Sequence, residues 1–151
     1  MILGGRSDGN RPLDNVEVIK VKTEGAICNP LELEYPVNGH STVVTSLGII
    51  TCGGWESNSL KRCTLQTIKG ETRLFPSMKR SRYRVGMAVM NQTLMIVGGY
   101  PAYEKMEKIS MNGDEWVEVD LPFSVWSHCV VSINETSVMA IGGSDSDHNV
   151  S

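Results

Sequence analysis

The sequence predicts an all-β fold in which a unit of short antiparallel strands is repeated. Four glycine pairs recur at a nearly constant interval, with first glycines 49, 45 and 44 residues apart; the pairs are Gly4-Gly5, Gly53-Gly54, Gly98-Gly99 and Gly142-Gly143. A short apolar run precedes each pair, and no stretch of useful length carries the 3.6-residue periodicity of a helix. A period of about 40 to 50 residues is typical of repeat architectures.

Each period supplies four candidate strands. The first is the apolar run before each later glycine pair, at residues 40–45, 85–90 and 128–133, and the second ends at the pair itself. An alternating third strand follows a polar loop, at residues 15–21, 60–65 and 105–109, and the fourth is clearest at residues 115–122. Four antiparallel strands repeated radially describe the blades of a β-propeller. Glycine pairs suit the end of an inner strand, because neighbouring backbones crowd there.

Several segments follow the repeat of one known family: residues 15–18, 76–78, 82–86 and 94–99, together with Trp116. On these segments the chain resembles the Kelch-repeat family over almost its whole length. The family's aromatic position is filled by Trp116 in one unit and by Thr72 in another, and no tyrosine stands three residues before a glycine pair. The resemblance implies a propeller that acts as a protein-interaction module.

Length predicts an incomplete ring. Propellers contain about four to eight blades, and 151 residues at this period supply about three. Residues 1–151 are therefore interpreted as one partial Kelch-type propeller. We expect either that further blades of a longer chain complete it or that two copies close the ring together, since an open sheet edge favours association.

Composition is that of a soluble globular chain: 40% of residues are hydrophobic, 21% are charged, and the net charge is −3. No apolar run approaches the roughly 20 residues of a membrane helix, so no membrane partner is predicted. The charge is unevenly distributed, because residues 60–84 carry +7 and the remainder carries −10.

The basic residues Lys79, Arg80, Arg82 and Arg84 fall in the connection between two units. Propeller loops of this kind meet binding partners, and the segment is interpreted either as a solvated loop or as a docking site for an acidic protein or glycan. A nucleic acid partner is disfavoured by the acidic balance of the remaining chain.

Two cysteines replace apolar residues in one unit only. Cys52 takes the place of Leu3, Val97 and Ile141 in the other units, and Cys63 takes that of Ile19 and Ile109. Because the two positions lie on neighbouring strands, a Cys52–Cys63 disulfide is geometrically plausible. The alternative is that both are small core residues. Cys28 and Cys129 offer no pairing argument, and the absence of a C-x-x-C spacing disfavours zinc.

Three sequons for N-glycosylation begin at Asn91, Asn134 and Asn149. Asn91 and Asn134 occupy equivalent hairpin turns, where asparagine is also favoured because it tolerates positive φ. Together with the cysteine pair, the sequons favour a secreted or extracellular protein over a cytoplasmic one.

Enzyme chemistry finds little support in the sequence. His40 and His128 share one repeat position with Val85, which indicates packing rather than metal ligation. No G-x-S-x-G, H-E-x-x-H or phosphate-binding loop is present, and no metal or cofactor is predicted.

The predicted function is therefore non-enzymatic: propeller loops presented to a protein partner. Two alternatives follow from the resemblance. One is the substrate-binding propeller of an intracellular cullin-type ubiquitin ligase, which would carry a BTB domain upstream. The other is a propeller enzyme, such as an oxidase that uses copper with tyrosine and histidine ligands.

Overall fold

The computed structural model describes residues 2–9, 11–22, 25–67 and 69–145, so the sequon at Asn149 lies outside it. The described residues form thirteen antiparallel strands and no helix, which confirms the predicted all-β class. Among them, no helix is long and apolar enough to span a bilayer.

The described strands form four separate sheets in chain order. Sheet 1 contains β1 (Ile2–Arg6), β2 (Pro12–Lys22) and β3 (Gly25–Val37). Sheet 2 contains β4 (Ser41–Thr45), β5 (Gly48–Cys52), β6 (Cys63–Gln66) and β7 (Thr72–Phe75). Sheet 3 contains β8 (Gly86–Met90), β9 (Thr93–Val97), β10 (Lys105–Ser110) and β11 (Val117–Asp120). Sheet 4 contains β12 (Cys129–Ser132) and β13 (Val138–Ile141).

The first strands of sheets 2, 3 and 4 lie together, because β8 contacts both β4 and β12. The glycine pairs follow the second strands, β5, β9 and β13, rather than these innermost strands. In sheet 1 the pair lies within β1, where the register with β2 shifts between Leu3 and Gly5. The glycine pairs of sheets 2 to 4 therefore lie at matching strand ends, each directly after the second strand, as predicted.

The third strand of sheet 2 begins at Cys63, later than predicted, because the residues before it bond elsewhere. The carbonyl of Leu60 accepts from Arg82 N at 2.9 Å, and that of Lys61 accepts from Met78 N at 2.9 Å. These carbonyls join the connection that leads to sheet 3. They therefore cannot extend the ladder with β5.

The glycine pairs of sheets 2 and 3 link their own sheet to the next unit. The amides of Gly53 and Gly98 donate to carbonyls at the start of the third strand of the same sheet, each at 2.9 Å. The amides of Gly54 and Gly99 donate to the carbonyls of Arg82 and Val125 in the next connection, each also at 2.9 Å. The first glycine has φ 67° at Gly53 and 56° at Gly98, and a Cβ at either would collide with the same carbonyl of the next connection.

The main core lies between sheets 2 and 3. Its buried members come from both sheets and include Ile50, Leu65, Met87, Leu94, Ile96 and Ile109. Trp116 is only 2% exposed, donates from Nε1 to the carbonyl of Pro76 at 2.8 Å, and meets the ring of Phe75 edge-on with centroids 6.5 Å apart. This residue therefore ties the end of sheet 2 to the last strand of sheet 3.

Sheet 4 exposes apolar side chains, two of which, Met139 and Ile141, hold positions that are buried in sheets 2 and 3. Val131, Ile133, Met139 and Ile141 are 44% to 55% exposed. Additional strands packed against β12 and β13 would cover them. The predicted completion of the ring, by further blades or by a second copy, stays a prediction.

The predicted disulfide joins Cys52 and Cys63, which face each other in register on β5 and β6 with Cα atoms 4.1 Å apart. Both cysteines are fully buried, whereas Cys129 is an exposed free thiol. The structural equivalent of Cys63 in sheet 3 is Met106, which pairs with Val97. The predicted equivalence with Ile109 was wrong by three residues, because the connections that precede the third strands differ in length.

The close contact between Gly98 and the next connection can be tested with Gly98→Ala and the matched variant Gly142→Ala. Gly98 and Gly142 have similar left-handed φ values, 56° and 66°, but a Cβ at Gly142 meets nothing within 4 Å. We expect Gly142→Ala to lower the free energy of unfolding by about 1 to 2 kcal/mol through backbone strain alone. Gly98→Ala should cost roughly 2 kcal/mol more, since it must also displace the Val125 carbonyl. Denaturant titration measures the free energy of unfolding of both variants, and equal losses would contradict a close contact at Gly98.

The cross-link can be tested by comparing Cys52→Ala/Cys63→Ala with the wild-type chain. We expect the double variant to lose about 2 to 3 kcal/mol of unfolding free energy, because the bond closes a short loop. Cys129→Ala serves as the control and should change little, since that thiol is exposed and unbonded. Mass spectrometry of a non-reduced digest should find the two peptides linked; free alkylation of both thiols without reductant would refute the bond.

Candidate functional site

One end of the sheets collects the connections that the sequence singled out. In sheets 2 and 3 the second strand ends, the third begins and the fourth ends at the same end of the sheet, from which the chain passes to the next sheet. We call this end the glycine-pair face; it carries the connections at residues 53–62, 76–85, 98–104 and 121–128. The hairpins between first and second strands, including the turn at Asn91, lie at the opposite end.

The basic segment does not form one surface. Lys79, Arg80 and Arg84 are exposed, whereas Arg82 is fully buried. The Arg82 guanidinium donates to the carbonyls of Gly98 and Lys105 at 2.8 and 2.9 Å, where β9 ends and β10 begins. The predicted contact of Arg82 with a partner is therefore incompatible with the structure, because the side chain satisfies carbonyls inside the fold.

Glu107, fully buried on β10, accepts hydrogen bonds from the same basic segment. Its Oε1 accepts from Arg82 Nη2 at 2.6 Å and from Arg80 N at 3.1 Å, and its Oε2 accepts from Lys79 N at 2.6 Å. Burial lowers the pKa of Arg82, and the attraction of Glu107 opposes that shift. One carboxylate thus fixes both the buried cation and the backbone that presents Lys79 and Arg80.

Two exposed cations of this segment form ion pairs with carboxylates on or next to β11 in sheet 3. Arg80 forms a two-pronged pair with Glu118, with Nη2 to Oε1 at 3.0 Å, and Lys79 Nζ lies 3.4 Å from Glu115 Oε1. The hydrogen bond with Glu118 raises the pKa of Arg80, and the same bond lowers the pKa of Glu118. Both pairs are open to water, which screens them.

Arg84 belongs to an aromatic cluster that the sequence analysis missed. Its guanidinium carbon lies 5.0 Å from the ring centroid of Trp126 and 5.6 Å from that of Tyr83. Neighbouring rings continue the contact with centroids 5.2 to 5.4 Å apart. We call this cluster the aromatic surface; it consists of Trp55, Tyr83, Arg84, Tyr100, Tyr103 and Trp126.

The repeat explains how the aromatic surface arises. Trp55 and Tyr100 each follow a glycine pair directly, and Tyr100 shares two backbone hydrogen bonds of 2.9 Å with Tyr83. In the next unit, Trp126 shares two equivalent hydrogen bonds of 2.9 Å with Ser144. This signal was present in the sequence, since the residue after each glycine pair faces a residue at a second fixed position, just before the first strand of the same sheet.

Arg84 itself occupies a left-handed backbone position that recurs in three units. Gly39, Arg84 and Ser127 have φ values of 61°, 55° and 55°. Arg84 N donates to Gly39 O at 2.6 Å, and Ser127 N donates to Arg84 O at 2.9 Å, so these residues link successive units. A long side chain at such a position is uncommon, which marks Arg84 as a candidate for function.

The sequons at Asn91 and Asn134 are exposed and lie at the end opposite the glycine-pair face. Asn91 has φ 46°, as expected for a hairpin turn, and Asn134 Oδ1 accepts from Thr136 N at 2.8 Å. Both side chains are accessible to a modifying enzyme. Their glycosylation stays a prediction.

The two histidines that share a repeat position, His40 and His128, pack against glycines. His40 and His128 lie over Gly54 and Gly143 in the way that Val85 lies over Gly99. His128 also contacts Gly86, and burial lowers its pKa from the ordinary value of 6.5. Within the described part of the chain, no three histidine, cysteine or carboxylate side chains come together as a metal site would require.

The chain matches no protein-family model, and a search of curated proteins found no significant match either.

The role of the buried carboxylate can be tested with Glu107→Gln and with Glu118→Gln, whose carboxylate is partly exposed. We expect Glu107→Gln to lower the free energy of unfolding by about 3 to 5 kcal/mol, because it leaves the Arg82 charge buried without an opposite charge. Glu118→Gln removes a carboxylate that also pairs with arginine but is open to water, so it should change stability little. Denaturant unfolding compares the two; similar losses would contradict the structural role of Glu107.

Proposed function

We propose that this chain is a non-enzymatic interaction module of the Kelch type that presents its glycine-pair face to a protein partner. The observation that carries the proposal is the aromatic surface, in which Arg84 is held against two aromatic rings at a left-handed backbone position. The recurring glycine pairs and four-stranded sheets support the Kelch assignment.

The aromatic surface has the chemistry of an interaction hot spot. Tryptophan, tyrosine and arginine are enriched at such sites because they bury a large area with few rotatable bonds. Tyr100 is 41% exposed, and Arg84 is exposed beside it. Ring-to-ring contacts and the backbone bonds around Arg84 hold these side chains before a partner arrives, which reduces the entropy lost on binding.

Charge indicates the kind of partner. Arg84 has no ion-pair partner among the described residues, and its guanidinium contacts aromatic rings instead of a carboxylate. An acidic side chain of a partner would therefore complete a charge-assisted hydrogen bond without displacing an internal one. We propose a partner that brings an acidic residue to Arg84 and an apolar residue to Tyr100.

The disulfide also bears on the compartment. Structural disulfides persist in oxidising environments, and the exposed sequons point the same way. We therefore place the module outside the cytosol. No specific observation favours the ubiquitin-ligase or the propeller-enzyme alternative.

A peptide-display selection tests the proposal. Random peptides are selected on the folded wild-type chain and then measured against Arg84→Asn and Tyr100→Ala; asparagine tolerates the left-handed backbone at position 84. We expect each variant to weaken binding by roughly tenfold or more, as hot-spot residues do. The enriched peptides should share an acidic residue.

The matched controls for this selection are Arg73→Asn and Leu74→Ala, both exposed residues on β7. These substitutions remove the same charge and a comparable apolar group away from the aromatic surface, so they should leave peptide affinity unchanged. Peptides that bind Arg84→Asn and Tyr100→Ala as tightly as wild type would show that this surface is not the binding site.

A further inference from the structure

A concave feature of the glycine-pair face borders the aromatic surface without sharing a residue with it. It is a cleft of about 550 Å³ between the connections that precede β6 and β8. We call it the basic cleft, and its polar lining includes Lys61, Arg62, Lys79, Ser59, Ser77 and Ser81. No carboxylate lines it, although the chain as a whole is acidic.

Both walls of the basic cleft are held in place by the fold. Arg62 immediately precedes the bonded Cys63, and its carbonyl accepts from Gly53 N at 2.9 Å. On the other wall, Lys79 N donates to the buried Glu107 at 2.6 Å. The hydrogen bond from Met78 N to the carbonyl of Lys61, at 2.9 Å, joins the two walls. The cations are therefore presented by a preformed backbone.

The charges of the cleft are available to an incoming anion. Lys61 and Arg62 make no ion pair within the described residues, and the Arg62 guanidinium carbon instead lies 4.4 Å above the ring of Tyr35. Lys79 has an exposed partner in Glu115 at 3.4 Å, a pair that water already weakens. Three cations with serine hydroxyls between them supply only donors and hydroxyl groups, which is the chemistry that binds tetrahedral oxyanions.

We infer that the basic cleft binds sulfate groups of an anionic glycan. Phosphate on a peptide shares the oxyanion chemistry, but phosphopeptide sites rely on arginine clusters, whereas two of these three cations are lysines and the arginine stacks on tyrosine. Lysine acts as a point charge suited to several sulfates spread along a chain. The neighbouring disulfide favours an oxidising compartment, where sulfated glycans occur. This inference does not rest on the proposed protein-binding function, because the two surfaces share no residue.

The probe is a short heparin oligosaccharide, compared with its fully desulfated counterpart and with a phosphoserine peptide. Affinity is measured by calorimetry at physiological ionic strength for the wild-type chain, Lys61→Gln/Lys79→Gln and the charge-matched control Arg73→Gln/Lys108→Gln, whose residues are exposed elsewhere. We expect the cleft variant to bind heparin roughly 30-fold more weakly, about fivefold per lysine removed. The control should retain most of the affinity, and the desulfated oligosaccharide should not bind.

Three results would overturn the inference. The first is an equal loss in both double variants, which would indicate attraction to overall charge. The second is undiminished binding of the desulfated oligosaccharide. The third is binding of the phosphoserine peptide without binding of heparin, which would assign the cleft to phosphorylated proteins. Circular dichroism and thermal unfolding of each variant establish that the chains compared are folded.

Discussion

The hydrogen bond from the second glycine of the two central pairs to the next connection is the contact on which the rest of the structure depends. Gly54 and Gly99 reach the carbonyls of Arg82 and Val125, each at 2.9 Å. A single bond of this kind contributes about 1 kcal/mol. The close approach matters more than the bond energy, because the connection can come this near only where the first glycine, Gly53 or Gly98, has no Cβ to collide with the same carbonyl. The core between sheets 2 and 3, the burial of Arg82 and the placement of both candidate surfaces follow from this close approach.

Much of the fold could be predicted because the sequence patterns that specify it are local and are repeated along the chain. The glycine pairs fix the unit, and strand alternation within each unit fixes the all-β class. The pairing of Cys52 with Cys63 was also accessible, since both replace apolar residues on adjacent strands. The error of three residues in the equivalent of Cys63 has a local cause as well: loops of unequal length do not preserve repeat phase.

The burial of Arg82 could not be predicted from a basic run. Its environment is created by Glu107, which is distant in sequence and approaches only when β10 packs beneath the connection. Two carbonyls at the β9–β10 corner complete that environment, and no side-chain pattern reports them. The aromatic surface is a different case, because its members stand at repeated positions that the sequence displays openly. What the sequence does not display is the contact between units, from Trp55 to Tyr83 and from Arg84 to Trp126, which joins these positions into one cluster.

The disulfide has a further consequence for the connection that it encloses. Residues 56–58 form an exposed turn between the two bonded cysteines. A protease that cut this turn would leave both fragments covalently joined, because the bond holds β5 of one fragment to β6 of the other, which continues into the walls of the basic cleft. The same closure lets the turn lengthen or change its sequence at little cost to folding, because its ends are held by a covalent bond rather than by the turn itself. In this unit, the segment nearest the basic cleft is therefore the one best able to vary while the scaffold stays constant.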